Sequence, residues 1–243
     1  MADEIFMNQR LADIYDSFDP DRTDLEVYES IINELGTNSV LDIGCGTGTF
    51  ACLLATKGIQ VTGLDPAEAS LKVAKAKHGS DRVRWIHGNV NDLPPMKVDL
   101  VSMTANVAQV FLTDKEWKET LHAIRDVLRP GGHFVFETRK PESRAWLKWN
   151  RENTYKKIDI PGEGFVEGWV DIINVQDSMV SFRWTYVFEN DGAILTSDST
   201  LRFRSRTEIT QSLIETGFIV KDVREAPDRP GMEFVFIARL PTV

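Results

Sequence analysis

Nine residues, Val40 to Gly48 (Val-Leu-Asp-Ile-Gly-Cys-Gly-Thr-Gly), set an acid and three alternating glycines at the end of a short apolar run. Val40, Leu41 and Ile43 read as the end of a buried strand, and the glycines as a turn where the backbone bends sharply and comes close to a bound molecule. Thr49 to Ala55 continue as a helix whose free N–H groups would face that molecule and suit an anionic group. Asp65 follows Gly48 by seventeen residues and closes a second strand, Gln60 to Asp65. Its carboxylate can accept from a pair of ribose hydroxyls, or stand as a plain acid before a helix N-terminus. Asn89 lies in Gly88 to Leu93, after a third strand, and can meet a ligand or simply form a polar turn.

The elements around these residues alternate. Strands are expected at Val83 to His87, Val98 to Met103 and His133 to Glu137, and helices from Pro66 to Lys77 and from Thr113 to Leu128. Pro66 suits a first helical turn, Thr113 with Glu116 makes a capping box, and Pro130-Gly131-Gly132 stops the second helix. Such alternation predicts an α/β fold: a doubly wound, mostly parallel seven-stranded sheet with helices on both faces. Ligands in such sheets sit beyond the strands' C-terminal ends, where Gly44, Asp65, Asn89 and Thr104 all fall. After residue 138 the rhythm changes to long alternating segments, Phe165 to Val175, Met179 to Glu189 and Ala193 to Phe203. They predict an inserted antiparallel β meander. A helix opening at Thr207 and ending at Gly217, then a strand pair at Phe218 to Val223 and Met232 to Ala238, closes the fold.

Composition narrows the function classes. Of 243 residues, 42% are hydrophobic, enough for a proper core, and the net charge is -9. That charge opposes the phosphate attraction on which nucleic-acid binding relies. No apolar run is long enough to span a bilayer, and Met1-Ala2-Asp3-Glu4 lacks a secretory start, so a cytoplasmic protein without a membrane partner is expected. Cys45 and Cys52 suggest neither a disulfide framework nor a metal site. Residues 1 to 36 carry ten acids and two arginines, with Leu11, Ile14, Tyr15 and Phe18 on one helical face. They fit an acidic helix packed on a core, or a lid over a ligand. Trp146 and Trp149 stand in a basic stretch, either anchoring a helix or stacking on nucleic-acid bases.

A dinucleotide fingerprint needs a third glycine at position 49, which is Thr49, so that spacing fails. The motifs instead resemble those of the class I S-adenosylmethionine-dependent methyltransferases. Val40 to Gly48 looks like their glycine-rich motif, Asp65 like the ribose-binding acid, Gly88 to Leu93 like the adenine loop, and Leu128 to Gly132 like the turn before strand five. Tyr15, Thr104 to Phe111 and the meander resemble small-molecule enzymes acting on amines, including aminosugars. The resemblance implies S-adenosylmethionine as cofactor, held by Tyr15, Asp42, Gly44, Cys45, Gly46, Gly48, Asp65, Pro66, Asn89, Val90 and Thr104. It implies a small-molecule acceptor, amine or hydroxyl, oriented by Asn106, Gln109 and Arg139. Many relatives carry Asp where Asn89 stands. The ranges that follow are an N-terminal helical lid at 1–36, a cofactor-binding core at 37–138 and 205–243, and a helix and antiparallel cap at 139–204.

Moving a methyl from a sulfonium needs an in-line nucleophile held close, and positioning can supply most of the acceleration. No base stands out among His78, His87, His122 and His133, so the catalytic residue is unknown from sequence. Ser102 to Asn106 is not the Asn/Asp-Pro-Pro-aromatic motif of amino-methylating DNA enzymes, and no cysteine is placed for pyrimidine-carbon methylation. A catalytically silent S-adenosylmethionine-binding module and a NAD-dependent oxidoreductase are the alternatives.

Overall fold

The computed structural model describes residues 2–242; Met1 and Val243, which end the outermost ranges above, lie outside them. The chain opens with α1 (Glu4–Met7), α2 (Gln9–Phe18) and α3 (Leu25–Glu34), followed by β1 (Ser39–Ile43), α4 (Thr49–Thr56), β2 (Gln60–Asp65), α5 (Glu68–Ala76) and β3 (Val83–His87). Next come β4 (Val98–Met103), α6 (Asp114–Val127), β5 (Leu128–Arg139) and α7 (Arg151–Thr154). β6 (Lys156–Ile160), β7 (Gly164–Gln176), β8 (Met179–Phe188) and β9 (Ile194–Arg202) precede α8 (Arg206–Glu215), β10 (Ile219–Glu225) and β11 (Glu233–Arg239).

Seven strands form the main sheet in the order β10-β11-β5-β4-β1-β2-β3, and β6 to β9 form a separate four-stranded sheet. β1 to β5 pair in parallel, whereas β11 joins β5, and β10 joins β11, antiparallel. This is the expected doubly wound α/β sheet with an antiparallel meander. Its strand order reverses between β1 and β4, where a crevice opens beyond the strand ends. Alternate side chains sort to the two faces, as the strand period requires. Leu41, Met103, Phe134 and Phe136 pack with Trp117 and Leu121 of α6 and Leu213 of α8. Val40, Leu100, Val135 and Val235 pack with Tyr28 and Ile31 of α3 and Phe50 and Leu54 of α4.

Several boundaries differ from expectation, each for a local reason. α5 begins at Glu68 because the Asp65 carboxylate accepts from the Ala67 N–H at 2.8 Å and holds Pro66 outside the first turn. β5 starts before the Pro-Gly-Gly turn: Leu128 pairs with Val98, the next pair is Leu100 with His133, and the intervening residues bulge. α8 is capped by Ser205, whose hydroxyl accepts from the Glu208 N–H while Glu208 reaches back, so the helix opens one residue before Thr207. Trp146 sits in a short 3₁₀ turn, Ala145–Lys148, rather than a longer helix. Both tryptophans face the meander, Trp146 edge-on to Phe203 at 4.6 Å and Trp149 edge-on to Phe182 at 4.8 Å. β6, in the basic stretch, is a strand the alternation did not announce.

Residues 2–36 divide in two. Ile5, Leu11, Ile14 and Phe18 pack with Val166, Tyr186 and Phe188 of the meander, whereas α3 belongs to the main sheet's layer. Phe18 fixes the seam. It lies edge-on to Tyr186 at 5.0 Å, over Gly168, where an added Cβ would come within 2.5 Å of its ring. Phe18→Ala should therefore cost about 3 kcal/mol, the usual scale for truncating a buried phenylalanine. Urea unfolding checks the value, and rapid proteolysis of the first eighteen residues in the variant checks its location.

Candidate functional site

At the reversal of strand order Asp42 of β1 lies beside Ser102 of β4, whose hydroxyl donates to Asp42 Oδ1 at 2.8 Å. Asp42 is buried, and its Oδ2 has no partner. Burial, partly offset by the Ser102 bond, raises its carboxyl to about 7. The three glycines beyond it have positive φ but different reasons to be glycine. A Cβ at Gly44 would strike Val107 at 2.6 Å, and one at Gly48 would strike Trp85 and Ala74 at 2.6 and 2.7 Å. A Cβ at Gly46 would meet nothing within 4 Å. Two glycines thus serve packing, and the middle one faces open space.

The turn's own N–H groups are largely spent. Those of Gly44 and Cys45 donate to the Leu64 carbonyl, that of Gly48 to Cys45, and that of Gly46 to Asp65 Oδ2 at 2.8 Å. These four groups are thus bonded within the fold, and the start of α4 is left to face a ligand. Asp65 is buried, accepts from both Gly46 and Ala67, and has its carboxyl raised by burial. The Cys45 thiol is pushed up by burial and by Asp42 and Asp65, so it is no nucleophile at neutral pH. The Pro66 carbonyl lies 3.1 Å from His87 Nε2.

Asn89 caps the 3₁₀ turn Val90–Asp92, with its side-chain oxygen taking the Asn91 N–H at 2.9 Å. Val90 is half-buried against the α6 side of the core. Tyr15 packs against Phe6 at 5.6 Å, and burial raises its hydroxyl. Its neighbour Asp16, which the sequence did not flag, accepts from Thr47 Oγ1 at 2.7 Å and pairs with Lys77. Lys77 also donates to Thr49 Oγ1 at 2.7 Å. Helix α2 is thereby tied to the glycine turn.

Thr104 is buried after β4, and Ala105 and Asn106 follow with φ of 53° and 62°. Two successive non-glycine residues in the left-handed region store strain, a feature of positions that must aim something. Here the Asn106 N–H donates to Glu137 Oε1 at 3.1 Å and Asn106 Nδ2 to Glu233 Oε1 at 3.0 Å. Gln109 receives Arg139 Nη1 at 3.1 Å, and Arg139 Nε lies 3.7 Å from Glu233. The expected acceptor residues Asn106, Gln109 and Arg139 therefore meet, but around two acids that sequence reading missed. Tyr28 of α3 donates to Glu137, and Arg229 lies 3.5 Å from Glu137 and 3.0 Å from Glu233. Burial, reinforced by Glu233, raises Glu137 to about 7. The signal was available: each is an acid in an otherwise apolar strand. His133 stands elsewhere, opposite Leu100 near the start of β4, its pKa lowered by burial and by Arg239 and Lys221.

A family described as a methyltransferase domain matches residues 40–132. The chain is 26% identical over 231 residues to a Geobacillus sp. (strain WCH70) protein with a provisional methyltransferase name, covering 84% of this chain and 85% of that one. It is 31% identical over 150 residues to the ubiquinone biosynthesis O-methyltransferase of Serratia proteamaculans (strain 568), covering 55% and 60%. The chain thus spans less than two thirds of that relative's length. The solved structure of CalS10 from Micromonospora echinaspora, an amino pentose methyltransferase with S-adenosylmethionine bound, superposes with a TM-score of 0.68 at 20% identity, over 90% of this chain and 92% of the other. Residues 40–132 thus carry a methyltransferase domain, and the chain has the fold of solved S-adenosylmethionine-dependent methyltransferases. S-adenosylmethionine is their methyl donor, and the unpartnered Asp42 oxygen and open Gly46 fit a ligand that brings its own donors. No described helix is long and apolar enough to cross a membrane.

The Asp42 carboxyl makes stability depend on pH. Unfolded it ionises near about 3.9, and folded it is held at about 7. The native state keeps the extra proton between those values, so this group's stabilisation is lost as pH rises from about 4 through about 7. Asp42→Asn, which cannot ionise, should gain stability relative to wild type between pH 5 and pH 8. Urea midpoints at both pH values check this; a constant difference counts against the buried, unpartnered carboxylate.

Proposed function

We propose that this methyltransferase moves the methyl group of S-adenosylmethionine to a small-molecule acceptor, an amine or a hydroxyl. The carrying observation is the convergence of Asp42, Asp65 and the open Gly46 at the reversal of strand order, with one buried carboxylate oxygen left without a donor. Asp65 would hold the ribose hydroxyls on its remaining lone pairs, since Gly46 and Ala67 each use only one. The first turn of α4 would meet the donor's carboxylate, Asp42 the ammonium side, and Tyr15 would cover the methionine end. Asn89 and Val90 would border the adenine through the turn they cap. Bound there, S-adenosylmethionine supplies an electrophilic methyl on a sulfonium. The protein's part is then to exclude water and fix the acceptor in line, for which effective molarities of roughly 10⁵ to 10⁸ M are attainable. Residues 2–18, seated on the meander, and the tie from Asp16 to Thr47 support a cover over the cofactor end.

Calorimetry with S-adenosylhomocysteine and with NAD tests the cofactor reading; binding of NAD alone would overturn it. A screen with labelled methyl donor across amines, phenols and carboxylates tests the transfer, and labelling of none would leave a silent binding module. Asp65→Ala should weaken S-adenosylhomocysteine by at least about tenfold, since each charged hydrogen bond is worth about 1.5 to 3 kcal/mol. An unchanged affinity would remove Asp65 from the site.

A further inference from the structure

Helix α2 is built into the meander but only tied to the core. Toward the meander it presents the apolar side chains Leu11, Ile14 and Phe18. The Arg10 guanidinium adds to this, lying 3.7 Å over the Phe188 ring and pairing with Glu163 and Asp191 at 2.6 and 2.8 Å. Lys156 Nζ donates to the Phe18 carbonyl at 2.7 Å. Toward the glycine turn the contacts are of another kind. Asp16 Oδ1 accepts from Thr47 Oγ1 at 2.7 Å, and its Oδ2 lies 2.5 Å from Lys77 Nζ. The same ammonium donates to Thr47 Oγ1 at 3.2 Å and to Thr49 Oγ1 at 2.7 Å, so its three hydrogens are all used. Lys77 closes the C-terminal end of α5, and one cation thus joins α2, the glycine turn, α4 and α5. Asp16 and Lys77 are 36% and 25% exposed and lie outside the three apolar clusters, so the fold does not need the pair for its core. Thr47, by contrast, is buried, between Gly48 and the Gly46 whose N–H serves Asp65.

We propose that Asp16 is a positioning residue for the methyl donor: through Thr47 and Lys77 it holds α2, and with it Tyr15, down on the glycine turn, and so sets how long the donor stays bound. The inference rests on the cofactor reading proposed above. Asp16 makes no contact with the donor in this scheme; it acts through the turn and the helix that do. Release of the donor requires the tie to open, while the apolar face and Arg10 keep α2 on the meander. A part-exposed ion pair suits that task, because it is weak enough to open and is screened by salt, whereas the apolar contacts are not.

The measurement is the dissociation rate of labelled S-adenosylhomocysteine, chased with excess unlabelled ligand. Asp16→Asn keeps an acceptor for Thr47 but loses the charge, and should release the ligand about threefold faster. Asp16→Ala also ends the Thr47 bond and should release it at least about tenfold faster. Lys77→Met should speed release about threefold in the wild type but less than about twofold in Asp16→Asn, because the two residues act as one pair. Raising sodium chloride from about 0.1 M to about 1 M shortens the screening length from about 10 Å to about 3 Å, and should narrow the gap between wild type and Asp16→Asn. Should a variant fold poorly, the wild type alone still reads the tie, since its own release should quicken with salt. Unchanged release from Asp16→Ala, additive effects of the Asp16→Asn and Lys77→Met changes, or a wild-type rate indifferent to salt would overturn the proposal. So would faster release matched by an equal loss of stability in urea, which is the mark of a merely structural contact. Failure of the wild type to bind S-adenosylhomocysteine at all would instead strike at the cofactor reading.

Discussion

Four carboxylates, Asp42, Asp65, Glu137 and Glu233, are buried along one edge of the main sheet, and a buried carboxylate is costly unless something donates to it. Much of the architecture is arranged around that cost. Ser102 serves Asp42 from the next strand, and the backbone N–H groups of Gly46 and Ala67 serve Asp65. The Tyr28 hydroxyl comes from α3 across the sheet face, and Arg229 comes from the connection between β10 and β11. Parallel strands concentrate such groups here because their C-terminal ends all point the same way, and the reversal of strand order leaves a crevice between β1 and β4. The donors stop short of completion at Asp42 Oδ2 and Glu233 Oε2.

The same economy explains the N-terminal segment. Residues 1–36, ten of them acidic, read as one element by composition, yet packing splits the described ones. The stretch through Phe18 is apolar on the side that meets the meander, and α3 is apolar on the side that meets the sheet. What joins α2 to the core is polar: Asp16 to Thr47 and Lys77, with Lys77 also on Thr49. Thr49, the residue that breaks the dinucleotide spacing, is thereby part of the tie. Polar contacts of this kind at a part-exposed seam are individually weak.

Most of the fold was legible because its signals are periodic and local. Alternation of strand and helix, the Thr113–Glu116 capping box and the period of the meander segments each report on neighbours in sequence. The acids at Glu137 and Glu233 were readable as anomalies in apolar strands, but their meaning was not. They are ninety-six positions apart, and only the antiparallel docking of β11 on β5, which pairs Glu233 with Arg139, makes them neighbours. Arg229 and Tyr28 are still less visible, since an arginine in a loop and a tyrosine on a helix are ordinary until the sheet brings them together. The spent N–H groups of the glycine turn were likewise hidden, because the Leu64 carbonyl and Asp65 that consume them come from the adjacent strand.

Arg139 shows how the cap and the core are made to agree. Its guanidinium bonds Gln109 in the loop after β4, faces Glu233 on β11 and lies 5.3 Å from the ring of Trp149 in the cap. Burial lowers its pKa while Glu233 and Glu137 oppose that shift. Trp149 in turn packs on Phe182 of the meander, and Gln109 donates to the Arg202 carbonyl at the end of β9. A displacement of the meander would therefore move the groups that hold Arg139, and through Arg139 the electrostatic setting of Glu233. The cluster around Glu233 depends on two layers being in register, because its residues come from the loop after β4, from β5 and from β11 rather than from one motif.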